Sequence, residues 1–113
     1  MPYSRTEAKK LLTAAELEVF DAASPAEIQK LTKPELRKKL ERCRRMRDKY
    51  HDLFRRQRLA TRAESGSKSG NSGVANQRTR QKEEIFAEAV NRLEERILQI
   101  EKQEDDEFSK LDS

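Results

Sequence analysis

This sequence predicts an all-α fold: a long antiparallel helical hairpin, coiled-coil-like, preceded by short N-terminal helices. Three observations lead there. All three glycines, Gly66, Gly70 and Gly73, fall in one polar stretch from Glu64 to Gln77. All three prolines, Pro2, Pro25 and Pro34, precede position 35, so Glu35–Ser65 and 74–113 contain neither helix breaker. Within both long stretches the apolar residues recur at spacings of three and four, the period of one helix face.

The helix starts are marked by Ser or Thr with Glu three residues on, a spacing at which each side chain caps the other residue's backbone N–H. The pairs are Ser4 with Glu7, Thr13 with Glu16, Ser24 with Glu27, and Thr32 with Glu35. Pro25 and Pro34 then sit in a first helical turn, where a missing N–H costs little. These signals predict short helices over about 4–10, 13–22 and 25–31, followed by a long basic helix over about 34–64. Its apolar seam reads Leu36, Leu40, Cys43, Tyr50 and Phe54, broadened by Met46 and Leu53 and interrupted by Arg47. Residues 65–77 read as a flexible Gly/Ser linker. The remainder, 78–113, reads as an acidic amphipathic helix over about 78–105 with a fraying tail. Its seam is Phe86, Val90, Leu93, Ile97 and Ile100, flanked by Ile85 and Ala89.

The three segments, 1–64, 65–77 and 78–113, are expected to form one structural unit. Leu11, Leu12, Leu17, Val19, Phe20 and Ile28 from the short helices would pack against the hairpin. The connection exceeds the 2–8 residues or so usual in bundles, so a domain-swapped or intermolecular pairing stays open. Pairing Phe86 with Gln57 gives facing residues whose numbers sum to about 143, placing Glu104, Asp105, Asp106 and Glu107 beside Leu36 to Lys39.

Composition narrows the shape. Charged residues make up 41% of the chain and apolar ones 34%, against about 25% and 45–50% in ordinary globular proteins. Leu, Ile, Val and Phe number 22 of 113, close to the fraction at which high net charge predicts disorder, but the net charge is only +4. Such a chain folds by burying a narrow helical stripe, which implies an elongated molecule or an oligomer, a homodimer among the options. Cys43 is the only cysteine, so no intramolecular disulfide can form. Met1 to Lys10 lacks the apolar region of a secretory signal, and no run of about 18 apolar residues exists. The expected location is cytoplasmic, with no membrane association.

Charge is segregated along the chain. Residues 1–82 carry 21 basic and 10 acidic side chains, a net +11, while 83–113 carry 4 and 11, a net −7. Lys33–Arg62 alone holds 13 basic against 4 acidic residues. Lys38, Arg42, Arg45, Lys49 and Arg56 follow a heptad track about 200° from the apolar seam. A solvent-facing cationic helix of this kind suits the phosphate backbone of DNA or RNA, and Arg adds bidentate geometry. The nucleic-acid contacts expected on this basis are Arg37, Lys38, Arg42, Arg44, Arg45, Lys49, Arg55, Arg56 and Arg58. Arg62, Lys68, Arg78, Arg80 and Lys82 would continue the basic surface around the linker. Only Tyr3 and Tyr50 offer an exposed stacking face, so a single-strand platform is disfavoured.

Two other readings use the same residues. The acidic C-terminal helix can neutralise the basic one from within the chain, assisted by Glu35–Lys39, Glu41–Arg45 and Asp52–Arg56 pairs at i, i+4. Alternatively, the chain is a protein–protein interaction module, a coiled-coil adaptor, antitoxin-like or inhibitor protein, that binds an acidic protein surface. Either way no enzyme is expected. Cys43 and His51 are the only thiol and the only imidazole, and eight residues set them about 80° apart around a helix and some 12 Å along it. No metal site or cofactor is expected: GSKSGNSG lacks the Gly-Lys-Ser/Thr ending of a phosphate-cradling loop, and Glu104–Glu107 lacks the spacing of a calcium loop. A membrane-binding or calmodulin-type helix needs a stronger apolar face than one containing Arg47 and Gln57.

Overall fold

The Ser/Thr–Glu signals operate at three of the four expected helix starts. In the computed structural model, which describes residues 3–63 and 70–112, α1 (Arg5–Leu11) and α2 (Ala14–Ala22) are capped by Ser4 and Thr13. Thr13 forms the full reciprocal box: its Oγ1 accepts from the Glu16 N–H at 3.3 Å, while its own N–H donates to Glu16 Oε1 at 2.9 Å. α3 (Pro25–Ile28) is a single turn with no side-chain cap on Ser24, shorter than the expected 25–31. Thr32 and Glu35 cap one another at the start of α4 (Lys33–Ala63). The last element is α5 (Gly70–Asp112). No strand occurs among the described residues.

Helix α5 is longer than its apolar seam predicts at both ends. It begins at Gly70, so residues 70–77 of the expected linker are helical, while 64–69 lie outside the described residues. A glycine inside a helix costs about 1 kcal/mol, whereas extending an existing helix adds a hydrogen bond for each residue fixed. Two glycines therefore weaken the first turns without forbidding them. At 43 residues α5 spans about 65 Å, close to the full 70 Å length of a molecule only 26 by 20 Å across.

α4 and α5 form the antiparallel hairpin. Their cross-helix contacts, Lys33 to Glu104, Arg37 to Glu101, Arg44 to Glu94 and His51 to Glu83, join residues whose numbers sum to 137, 138, 138 and 134. A near-constant sum is the signature of antiparallel packing. It is also smaller than the expected 143, because α5 takes up residues assigned to the linker and so moves the turn toward lower numbers. Phe86 consequently stacks on Tyr50, with centroids 6.1 Å apart and planes within 8°, and not beside Gln57. Of the acidic cluster, Glu104 reaches Lys33 at the first turn of α4; Asp105, Asp106 and Glu107 run past it instead of lying beside Leu36 to Lys39.

The seams expected from the spacing are buried along most of their length, whereas Phe54 and Ile100 at their ends, and Met46 and Leu53 beside the first, are only half-buried. Leu36, Leu40, Cys43 and Tyr50 face Ile85, Phe86, Ala89, Val90, Leu93 and Ile97. The short helices form a third layer over this face, contributing Ala8, Leu12, Val19, Phe20, Ala23 and Ile28 to one continuous core. α2 runs alongside both long helices, from Glu16 near Tyr50 and Lys82 to Ala23, whose carbonyl accepts from Arg92 Nη1 at 3.5 Å. The third layer stops near Tyr50. Beyond it α4 and α5 continue as a two-helix stem.

Candidate nucleic-acid interface

The nine expected contact residues all lie on α4 and retain solvent exposure, but they do not form one surface. At 100° per residue, Lys38, Arg42, Arg45, Lys49 and Arg56 fall on one flank of the seam, and Arg37, Arg44, Arg55 and Arg58 fall on the other. The second flank faces α5. There Arg44 Nη2 donates to Glu94 Oε1 at 3.2 Å, Arg37 lies 3.7 Å from Glu101, and His51 Nδ1 lies 2.6 Å from Glu83. Internal neutralisation is therefore one-sided: acidic residues of α5 answer Arg37 and Arg44.

The first flank lies beyond the reach of α5. Lys38, Arg42 and Arg56 make no ion pair with any described residue, and Arg45 meets only Glu41 of its own helix, at 3.6 Å. The expected Glu35–Lys39 and Asp52–Arg56 pairs do not form; Glu35 is engaged by Thr32 instead, which holds its carboxyl below the usual carboxylate range. Lys49 lies over the Tyr50 ring, 5.3 Å from its centroid, a cation–π contact that orients the ammonium without neutralising it. Arg42 and Lys39 also line a shallow groove of about 210 Å³ against Glu18, Val19 and Ala22 of α2.

Near the turn the two flanks merge. Arg55, Arg56 and Arg58 on α4 and Arg78, Arg80 and Lys82 on α5 occupy a stem with no Asp or Glu from Leu53 to Ala63 or from Ala75 to Lys82. Arg58 sits over the Phe54 ring at 5.7 Å, and Arg80 meets Glu84 at 3.4 Å. Arg55 and Arg78 make no ion pair with a described residue. The opposite end of the molecule carries Glu101 and the Glu104–Glu107 cluster. Charge is thus separated along the long axis as well as around α4.

Sequence reasoning missed a buried polar cluster beneath this surface. Glu16 is 4% exposed. It accepts from Lys82 Nζ at 3.1 Å, from the Thr13 N–H and from the Tyr50 hydroxyl. Burial pulls its pKa upward, but the Thr13 N–H and Lys82 outweigh that, and the carboxyl is held below its ordinary value. Lys82 also lies 5.1 Å from the Tyr50 centroid. Tyr50 is therefore a core residue and no stacking platform. Tyr3 is likewise committed, donating to Glu84 Oε2 at 2.7 Å. The capping box flagged Glu16 as a helix start; nothing local in the sequence pairs it with residues 34 and 66 positions away.

Cys43 is fully buried, and its thiol is pushed up to about 11 by burial against the pull of Lys39 and Arg42. His51 is exposed and turned toward Glu83, so the two do not meet. Among the described residues no three His, Cys, Asp or Glu side chains gather where a metal could sit. None of the helices described is long and apolar enough to cross a membrane. Comparison with protein-family models, curated proteins and solved structures finds no match to this chain.

Proposed function

We propose that the protein is a small helical nucleic-acid-binding protein that lays the outer flank of α4 and the basic stem against a phosphate backbone. The observation that carries this reading is the split of charge around α4. Arg37 and Arg44 are answered by α5, whereas Lys38, Arg42, Lys49 and Arg56 repeat along the exposed flank with no carboxylate partner among the described residues. From Lys38 to Arg56 this row extends about 27 Å, long enough to span several phosphates. Exposed cations that meet no carboxylate among the described residues, set along a rigid rod, suit counterion release, the main sequence-independent drive for binding DNA or RNA.

Mobility-shift titration on duplex DNA and duplex RNA across a salt series tests it. With about five phosphates neutralised, log K falls against log salt with a slope near −4.5 on DNA. Arg42→Glu, Lys49→Glu and Arg56→Glu together abolish the shift while leaving helicity intact. Absence of binding by the wild type at about 50 mM salt, within the range where backbone contacts are strongest, removes the reading. The same flank then serves an acidic protein surface, which needs no stacking aromatic beside the cations.

A further inference from the structure

The seam of α5 does not stop where α4 does. Lys33, the first residue of α4, meets Glu104 at 3.0 Å, so residues 105–112 run on without a partner helix. At 100° per residue Phe108 and Leu111 continue the line of Phe86, Val90, Leu93 and Ile97. Those four are at most 9% exposed, but Phe108 is 70% and Leu111 86% exposed. Asp105 and Glu107 flank this ridge, one on each side, about 80° from it.

At the other end of the molecule, the hairpin face that α2 covers continues with no described element packed over it. Tyr50, Leu53 and Gln57 from α4 and Ala75, Arg78 and Thr79 from α5 line an open groove of about 360 Å³. Its rim is cationic: Arg78 stands on one side, and on the other Lys49 and Arg56 lie one helical turn either way from Leu53. Tyr50 to Gln57 occupies about 11 Å of helix axis, and Glu104 to Leu111 occupies the same length.

We propose that the α5 overhang of one copy docks in the stem groove of a second copy. Phe108 and Leu111 then meet Leu53 and Ala75, with Asp105 and Glu107 opposite Arg78 and Arg56. The second copy is the occupant because the two ends of one molecule carry complementary halves: an acid-flanked apolar ridge, and a basic-rimmed groove of equal length. Pairing two overhangs about a twofold axis instead brings two Glu104–Glu107 clusters together, which like-charge repulsion opposes. The contact is heterologous, so it repeats head to tail into linear chains unless the rotation closes a ring. It uses a small patch and is weak and concentration-dependent. The proposal does not rest on nucleic-acid binding, but the groove rim shares Lys49, Arg56 and Arg78 with the phosphate-contacting surface proposed above, so the two contacts compete.

Sedimentation velocity of the purified full chain over a concentration series tests this, using one overhang variant, Phe108→Ser with Leu111→Ser, and one groove variant, Ala75→Glu with Arg78→Glu. All four positions are exposed, and far-UV circular dichroism checks that the fold is kept. The wild type is expected to grow with concentration into species larger than a dimer, and raising salt is expected to weaken that growth. Each variant alone stays monomeric. An equimolar mixture of the two forms a dimer and nothing larger, because one intact ridge and one intact groove remain. A wild type that stays monomeric at millimolar concentration overturns the proposal. So does a groove variant that associates like the wild type, which indicates overhang-to-overhang pairing. Association insensitive to salt overturns it too, even if a variant fails to fold.

Discussion

The Lys82 ammonium lies 3.1 Å from the Glu16 carboxylate, joining α5 to the first turn of α2 in a site where the two side chains are only 17% and 6% exposed. This contact fixes the third layer on the hairpin, since Tyr50 of α4 donates to the same carboxylate. Removing one partner of a buried pair leaves the other charge without compensation and costs about 3–5 kcal/mol. Lys82→Met is therefore expected to destabilise the protein by about 3 kcal/mol, at the lower end because Thr13 and Tyr50 still serve Glu16. Combining Lys82→Met with Glu16→Gln should cost less than the two single changes added together, since the double variant buries no unpaired charge. Urea unfolding of the four proteins measures this, and strict additivity would show that the pair is not coupled.

The same carboxyl gives a pH dependence of defined sign. Its folded-state pKa is held below the ordinary value by the Thr13 N–H and Lys82, which outweigh the upward effect of burial. Its contribution is therefore fully present above the unfolded pKa of about 4.3 and is lost as pH falls through the lower folded value. Wild-type stability should drop more steeply below about pH 4.3 than that of Glu16→Gln. Parallel urea-midpoint curves for the two proteins from neutral pH downward would remove Glu16 as the cause.

Tyr3 supplies the alkaline counterpart. Burial and the hydrogen bond to Glu84 push its phenol up to about 12. Because the folded value lies above the unfolded one of about 10, the stabilisation is complete below pH 10 and disappears as pH rises toward 12. Tyr3→Phe should flatten that part of the stability curve. Absorbance titration of the phenolates checks the assignment independently: one tyrosine of the wild type should ionise with a midpoint near 12, and that step should be missing in Tyr3→Phe.

Local signals in the sequence were enough for the helices and their buried faces, because a capping box or an i, i+3, i+4 seam is written within a few residues. Thr13 with Glu16, and Phe86 through Ile97, behave as their spacing requires. The register of the hairpin was not legible. It depends on where α5 begins, and Gly70 and Gly73 read as linker although the helix starts at the first and runs through the second. That displacement hid which cations meet carboxylates. Arg44 and Arg42 look alike in a charge count, and only the position of Glu94 separates them. The Glu16–Lys82 contact is invisible for the same reason, since it requires three elements to be placed at once.

The register itself can be tested by substitution. Phe86 is fully buried against Tyr50, while Phe108 lies on the same helical line beyond the end of α4. Phe86→Ala should cost about 3–5 kcal/mol and Phe108→Ala less than about 0.5 kcal/mol. Cys43 reports on the same core: its buried thiol, raised to about 11, should resist alkylation in the wild type and in Phe108→Ala. In Phe86→Ala it should react faster, in proportion to the larger population of opened molecules. Equal losses at the two phenylalanines would mean that α5 carries a partner over 105–112 even in the monomer.

The two flanks of α4 should behave differently toward nucleic acid. Arg42 is exposed and meets no carboxylate among the described residues, whereas Arg44 donates to Glu94 at 3.2 Å. A cation already paired within the protein must give up its partner before it neutralises a phosphate, so its net contribution to binding is smaller. Arg42→Gln should lower the magnitude of the salt slope by about 1 and weaken binding similarly on unrelated sequences. Arg44→Gln should leave the slope nearly unchanged, and Glu94→Gln should strengthen binding by releasing Arg44. The measurement is a mobility-shift series at several salt concentrations on two duplexes of unrelated sequence. Equal slope changes for Arg42→Gln and Arg44→Gln would show that both flanks touch phosphate and that the pairing with α5 does not select the binding face.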